Sequence, residues 1–259
     1  MELKTVQVLD NLDIAKPCID MEDEGYNCEW SQELSLDQSF HQYLDAWVLV
    51  HVLDKILWGK SRPGAGSVFN MSVGYNLEGI KSPAVQEFIQ RMRDSSDFLQ
   101  DKIDAVARVF PEAKDLDIPE SITDNITLST MHGCPPDEVE KIGRYLIEKT
   151  GLHTAVKLNP TLLGPDKLRG ILNHTLGFDT IVPDLAFEHD LKWTDAMGII
   201  SRLKDLAEEK DLDFGVKLSN TLECVNHRPV FPETEEMMYM SGRSLYPLTI
   251  NLAALVATG

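Results

Sequence analysis

Two segments of this chain are near-copies: Val156-Lys157-Leu158-Asn159-Pro160-Thr161-Leu162 and Val216-Lys217-Leu218-Ser219-Asn220-Thr221-Leu222. Each begins as a short apolar strand and sets a lysine where the strand gives way to small polar residues. An ammonium left unpaired in an apolar core is costly. A fold that accepts both strands must therefore give each lysine an anionic or polar neighbour. In sheets with helical crossovers, ligands bind at the carboxyl ends of the strands. The repeated lysine thus predicts a site there for an anionic or electron-rich ligand.

The rest of the chain alternates in the same manner. Strand-like runs rich in Val, Ile, Phe and Thr fall at 2–8, 67–73, 125–130, 154–159, 179–183 and 214–219. Helical patterns fall between them at 35–58, 83–109, 136–150, 165–176, 190–210 and 242–257. The helix at 136–150 is the best signalled. Pro135 and Pro136 suit its first turn, Asp137 and Glu138 complement its positive end, and Gly151 stops it. Strand–helix units in series predict an α/β fold with a parallel sheet and right-handed crossovers, either a barrel or an open doubly wound sheet. No Gly-x-Gly-x-x-Gly follows a strand, which disfavours the dinucleotide-binding version. A closed barrel has eight strands. The runs above number six, so a barrel here is incomplete, with sheet edges to be covered or paired. Residues 9–34, which carry Asp20, Glu22, Asp23 and Glu24, read as a long connecting loop. Asn226-His227-Arg228 and the acidic, Met-rich stretch 233–240 read as a mobile loop or lid, with Met237, Met238 and Met240 packing rather than coordinating.

Composition excludes several classes. The chain has 259 residues, 43% of them hydrophobic, enough for one substantial core and a single domain over 1–259. Its net charge of −18 argues against nucleic-acid backbones and anionic membrane surfaces as partners. No apolar run reaches the ~18 residues of a membrane span. The N-terminal residues lack the basic-then-apolar order of a signal peptide. Cys18, Cys28, Cys134 and Cys224 form no Cys-x-x-Cys pair, so no zinc or iron–sulfur site is expected from this chain, and a reducing cytoplasm suits it.

Three constellations are candidates for chemistry. In Asn70-Met71-Ser72-Val73-Gly74-Tyr75-Asn76, Gly74 permits a turn or close approach to a ligand, and Asn76 could pair with the edge of a heterocycle. The bland alternative is a turn in which Asn76 adopts a left-handed conformation. In Thr127-Leu128-Ser129-Thr130-Met131-His132-Gly133-Cys134-Pro135-Pro136, a strand enters a helix. A helix N-terminus lowers a thiol pKa, so Cys134 could serve as acid, base or nucleophile beside His132; otherwise it is a small buried hydrophobe. Glu188-His189-Asp190 reads as a solvated helix start capped by Asp190 rather than as a proton shuttle.

Taken together, Glu2-Leu3-Lys4-Thr5-Val6, residues 70–76, 128–136, 156–161, 216–221 and Tyr239-Met240-Ser241-Gly242-Arg243 resemble the barrel region of the family labelled selenate reductase iron–sulfur subunit. That family is similar to dihydropyrimidine dehydrogenase and dihydroorotate dehydrogenase in its flavin barrel, and the resemblance covers nearly the whole chain. It implies an incomplete TIM (β/α)8-type barrel lacking the first and last strands, with FMN as cofactor. By residue, it implies flavin contacts from Lys4, Thr5, Asn76, Lys157, Lys217, Asn220 and Thr221, and catalytic roles for Cys134 and Lys157. The relatives' active-site cysteine follows an Asn-Leu-Ser strand; here the strand is Thr127-Leu128-Ser129 and Cys134 is displaced. The family's glycine-rich phosphate loops should follow Gly259, and without them FMN affinity should fall. Iron–sulfur clusters, FAD and NAD(P)H dependence belong to other parts of a larger parent, whose domains or subunits would be the partners. Two alternatives from other classes are a degenerate barrel serving as a non-catalytic scaffold and an aldolase-like barrel with Lys157 or Lys217 as Schiff-base lysine.

Overall fold

The computed structural model describes residues 1–6, 19–21, 24–27, 34–59, 67–129, 132–228 and 230–258. Cys18, Cys28, Glu22 and Asp23 lie outside the described residues. Five strands form one all-parallel sheet in sequential order: β1 (Glu2–Val6), β4 (Asn70–Val73), β5 (Asn125–Ser129), β6 (His153–Leu158) and β7 (Phe214–Leu218). Sequential parallel order with helical crossovers is the architecture of a TIM barrel, here incomplete.

The helices between these strands are α1 (Leu36–Trp58), α2 (Leu77–Ile80), α3 (Pro83–Arg93), α4 (Ser96–Ala107), α5 (Pro136–Glu148), α6 (Pro165–Arg169), α7 (Asp184–His189) and α8 (Trp193–Glu209), with α9 (Tyr246–Thr258) last. Ser35 caps α1 in a reciprocal box with Gln38, and Gly59 ends it in a left-handed conformation. The expected helix over 83–109 is two helices. Asp94 turns out to an extended conformation, and Ser95 bonds the Glu120 carbonyl instead of continuing the first helix.

The sheet sorts its side chains by alternation. Met71, Val73, Ile126, Leu128, Val156 and Leu158 are buried in the apolar core, while Asn70, Ser72, Thr127, Ser129, Lys157 and Lys217 take the opposite, bore-side parity. A second sheet is antiparallel, ordered β2 (Ile19–Met21), β3 (Glu24–Asn27), β9 (Met237–Ser241), β8 (Leu222–Val225). It starts where β7 ends, so it stands at the carboxyl mouth of the parallel sheet.

Three expectations are corrected here. Residues 179–183 are not a strand. Pro183 has no N–H to give a ladder, Arg169 takes the Val182 carbonyl, and β6 pairs directly with β7. The parallel strands among the described residues are thus five, not six. The loop expected at 9–34 contains β2 and β3. The lid expected at 233–240 is largely β9, an inner strand of the second sheet, with Met238 and Met240 fully buried; these methionines do pack. Among the described residues no helix is long and apolar enough to cross a membrane.

Gly143 on α5 shows how closely the helical layer is packed. A Cβ there would lie 2.6 Å from Leu203 Cδ1 and 3.1 Å from Cδ2, and Leu203 on α8 is fully buried. Alanine gains about 1 kcal/mol of helix propensity over glycine, but overpacking a core costs about 1–3 kcal/mol. Gly143→Ala should therefore lower stability in urea unfolding by about 1 kcal/mol, and in the Leu203→Ala background the same change should become stabilising. Equal effects in both backgrounds would disprove the contact.

Candidate active site at the barrel mouth

The bore carries a polar belt at one level. Thr5 Oγ1 lies 2.8 Å from Ser72 Oγ and 3.2 Å from Ser129 Oγ, and Ser72 Oγ lies 2.7 Å from Ser129 Oγ. Ser129 pairs in register with Lys157, and Lys157 with Lys217. The belt thus crosses all five strands. Glu2 on β1 closes it by an ion pair with Lys217 on β7. These two strands are the opposite edges of the sheet, so the sheet curls far enough for edge side chains to meet across the bore. An irregularity between Glu2 and Thr5 lets both face inward although they are three positions apart.

The two lysines therefore do project side by side into one interior. Lys157 is half-buried, and its pKa falls below the ordinary lysine value, first through burial and then through the neighbouring Lys217 ammonium, with Glu2 opposing. A cavity of about 730 Å³ is lined by Lys157, Ser219, Thr221, Ser241, Arg243 and Thr249, among others. Asn220 is buried beside it, its Oδ1 accepting from the Thr221 N–H. Thr5 belongs to the belt. Lys4 is exposed, its carbonyl accepting from Tyr43 Oη.

A second cavity, about 400 Å³, is lined by Tyr75, Asn76, Leu128, His132, Cys134 and Glu138, among others. Asn76 is not left-handed. It has φ −76° and caps α2, its Oδ1 accepting from Gly79 N–H at 2.9 Å, while Tyr75 carries the positive φ of 138°. Asn76 lines this second cavity and not the one that Lys157 borders. Cys134 corrects the sequence expectation. Burial and then the Glu138 and Asp137 carboxylates push its thiol up to about 11, the opposite of the lowered value expected at a helix N-terminus. Cys134 and Lys157 both border a void of about 10 Å³ with Asn159 and Asp190, which brings the two expected catalytic residues close.

Asp190 is a further correction. It follows α7 and is 5% exposed, so it is neither a helix N-cap nor solvated. Its Oδ2 accepts from Thr161 Oγ1 at 2.7 Å and lies 3.3 Å from His132 Nδ1, and its Oδ1 accepts from Gly133 N–H at 3.2 Å. Burial disfavours its charge, but His132, Thr161 and the Gly133 N–H more than offset this, leaving the carboxyl below its ordinary value. His132 Nε2 lies 3.4 Å from Thr221 Oγ1, and the ring stacks on Tyr239 at 5.1 Å and 26°. Sequence reasoning passed over Glu2, Ser72, Ser129, Thr161 and Tyr239. Polar side chains recurring at every second position, Asn70 and Ser72 on β4 and Asn125, Thr127 and Ser129 on β5, were a usable signal for the belt. Nothing local linked Asp190 to His132. No cluster of three or more metal-ligating side chains occurs among the described residues.

A sequential parallel sheet with its polar site at the carboxyl mouth is the arrangement of a TIM-barrel enzyme domain. The chain belongs to the family described as oxidoreductase YgfK, N-terminal TIM-barrel domain, whose model matches residues 1–259. It is 47% identical over 277 residues to the Escherichia coli (strain K12) protein titled "Putative oxidoreductase YgfK", covering 99% of this chain and 26% of that protein. The same figures hold for the protein of that title in Escherichia coli O157:H7. The chain thus spans about a quarter of the length of the curated relatives it matches.

The thiol carries the prediction from this geometry. With its pKa raised to about 11, Cys134 should be almost entirely protonated at neutral pH. Its alkylation by iodoacetamide, followed by mass spectrometry of the Cys134 peptide, should climb about tenfold per pH unit with no plateau up to about pH 9.5. A plateau near the ordinary thiol pKa of about 8.5 would mean that neither burial nor the carboxylates hold the thiol up.

Proposed function

We propose that the mouth of this barrel holds FMN and that the domain passes electrons between the flavin and a small oxidised or heterocyclic substrate, within a larger iron–sulfur flavoprotein. The observation that carries the reading is Lys157: a half-buried cation, register-paired with Lys217 and bordering the 730 Å³ cavity at the carboxyl ends of β6 and β7. The titles of the relatives name an oxidoreductase, and the motifs of the resemblance supply the choice of FMN. The lining also suits such a group. A cation, the Ser219 and Thr221 hydroxyls and the apolar Leu218 and Leu245 fit a flat heterocycle with an electron-rich carbonyl edge, and the volume lies within the usual range of small-molecule sites.

FMN, when bound, would accept and release the electrons. The chain's residues would do the rest. Lys157 would balance negative charge on the ring's carbonyl edge, while Lys217, held by Glu2, would keep Lys157 turned to the ligand through like-charge repulsion. Cys134, kept as a thiol, would be available to donate a proton but not to act as a nucleophile. FAD, iron–sulfur clusters and NAD(P)H chemistry would reside in the remaining three-quarters of the parent, the domain's electron partner.

One observation favours a second reading. A lysine whose pKa is lowered by burial and by a neighbouring ammonium is also the type that forms Schiff bases. Borohydride with a carbonyl substrate would then trap an adduct on Lys157, whereas a flavin lysine would give none.

The test uses a full-length parent. It should purify with bound FMN, and Lys157→Ala should lower FMN content at least several-fold, with the Lys157→Ala/Lys217→Ala double variant lower still. Unchanged flavin content in both single variants and the double would remove the lysine assignment. A folded parent with iron–sulfur signals but no FMN by mass analysis would leave the scaffold reading standing.

A further inference from the structure

We propose that Asp190, His132 and Thr221 form a carboxylate–imidazole–hydroxyl relay that takes a proton from a ligand in the Lys157 cavity. This rests on that cavity being a ligand site, as proposed above, but not on the ligand being a flavin.

Three observations join. First, the residues are in line. Asp190 Oδ2 lies 3.3 Å from His132 Nδ1, and Nε2 on the far side of the ring lies 3.4 Å from Thr221 Oγ1. Such links are commonly long in ligand-free sites and tighten on binding. Second, the line runs from a buried carboxylate to an accessible cavity. Asp190 is 5% exposed, His132 borders the 400 Å³ cavity, and Thr221 borders the 730 Å³ cavity with Lys157. Third, the tautomer is dictated by the surroundings. Asp190 receives donors from Thr161 and Gly133 and stays ionised, so toward His132 it can only accept. Nδ1 must then carry the proton, which leaves Nε2 as the basic nitrogen.

Asn159 also borders the ring, its Nδ2 lying 3.4 Å from His132 Nδ1. With the proton on Nδ1, half a turn of the amide would set Oδ1 against it as an acceptor. Stacking on Tyr239 holds the ring in this orientation.

The step balances without electron transfer. An N–H or O–H bond of the ligand breaks and its electron pair stays on the ligand. The proton forms a bond to Thr221 Oγ1 as the original hydroxyl proton passes to Nε2. The resulting imidazolium is balanced by Asp190, and the ligand's charge by Lys157. Asp190 is thus a positioning residue, and the ligand class is a compound with a removable N–H or O–H beside an electron-rich edge.

The test needs neither substrate nor flavin. With 15N-histidine labelling of this chain, the His132 signals, assigned through His132→Gln, should show the Nδ1–H tautomer. Thr221→Val should shift Nε2 downfield by several ppm as its donor is lost, while Thr221→Ser should leave it in place. Asp190→Asn should move the proton toward Nε2. A wild-type Nε2–H tautomer, or a Nε2 signal insensitive to Thr221→Val, overturns the relay. Should Asp190→Asn fail to fold, the wild-type and Thr221 spectra still decide. A flavin-free parent would defeat the cofactor proposal and leave these spectra unaffected.

Discussion

Charge inside a curled sheet has to be neutralised, and the rest of the site follows from how this chain does it. Two lysines at matched positions of adjacent strands would repel each other in a confined space. Glu2 reaches from the opposite edge of the sheet and neutralises one of them. Removing a single partner from a desolvated pair typically costs about 3–5 kcal/mol, although this pair keeps some solvent contact and its worth is correspondingly smaller. The asymmetry that results matters more than the energy. Lys217 is ion-paired with Glu2; at Lys157 burial and the like-charged neighbour outweigh the same carboxylate, and its pKa falls accordingly. The two cations differ in setting, although both come from nearly identical sequence.

A second constraint holds the mouth together. Asp190 accepts from the loop after β5 through Gly133, from the segment after β6 through Thr161, and lies against His132. Three residues from two connections converge on one carboxylate. Hydrogen bonds to charged groups are worth about 1.5–3 kcal/mol each, so the cost of burying Asp190 is offset only while all three stay in place. The same arrangement that stabilises the rim therefore orients the imidazole. The belt of Thr5, Ser72 and Ser129 is a smaller version of this logic, with neutral hydroxyls satisfying one another across three strands.

Much of this was legible in the residues. The strands at 2–8, 67–73, 125–130, 154–159 and 214–219 announced themselves as short runs rich in Val, Ile, Phe and Thr, and the helix at 136–150 by proline at the first turn and glycine at the end, and the structure has elements at each. The shared interior of the two lysines followed from their repeated position. The rest failed for identifiable reasons. Residues 179–183 are apolar because they are partly buried against neighbouring segments, and a short apolar run does not distinguish a strand from buried coil. The segment around Met237 looked like a lid because acids precede it, whereas its alternate methionines, Met238 and Met240, are core residues of a strand. The chemical reading of Cys134 leaned on the helix N-terminus and on His132 nearby, while burial, and then Glu138 and Asp137, noted as favourable for that helix, push the thiol the other way. Asp190 was judged by its acidic neighbours, and its true partners lie 29 and 58 residues away.

The second sheet gives the site its order of assembly. Tyr239, which stacks on His132, sits on β9 between β3 and β8, and β9 pairs with β3 across more than two hundred residues, as in Tyr26 with Met240. Thr221 immediately precedes β8. The belt, by contrast, lies wholly on the five-stranded sheet, where each strand pairs with its next parallel neighbour in the chain. The belt's own ion pair, Glu2 with Lys217, spans a sequence separation as long as that of Tyr26 and Met240, but its members all stand on the parallel sheet, whereas the imidazole takes its ring face and its Nε2 partner from residues on or beside the antiparallel sheet. Ser241 of β9 also lines the Lys157 cavity, so a disturbance of β3–β9 pairing should leave the Glu2–Lys217 pair in place while it opens the cavity wall and uncouples His132.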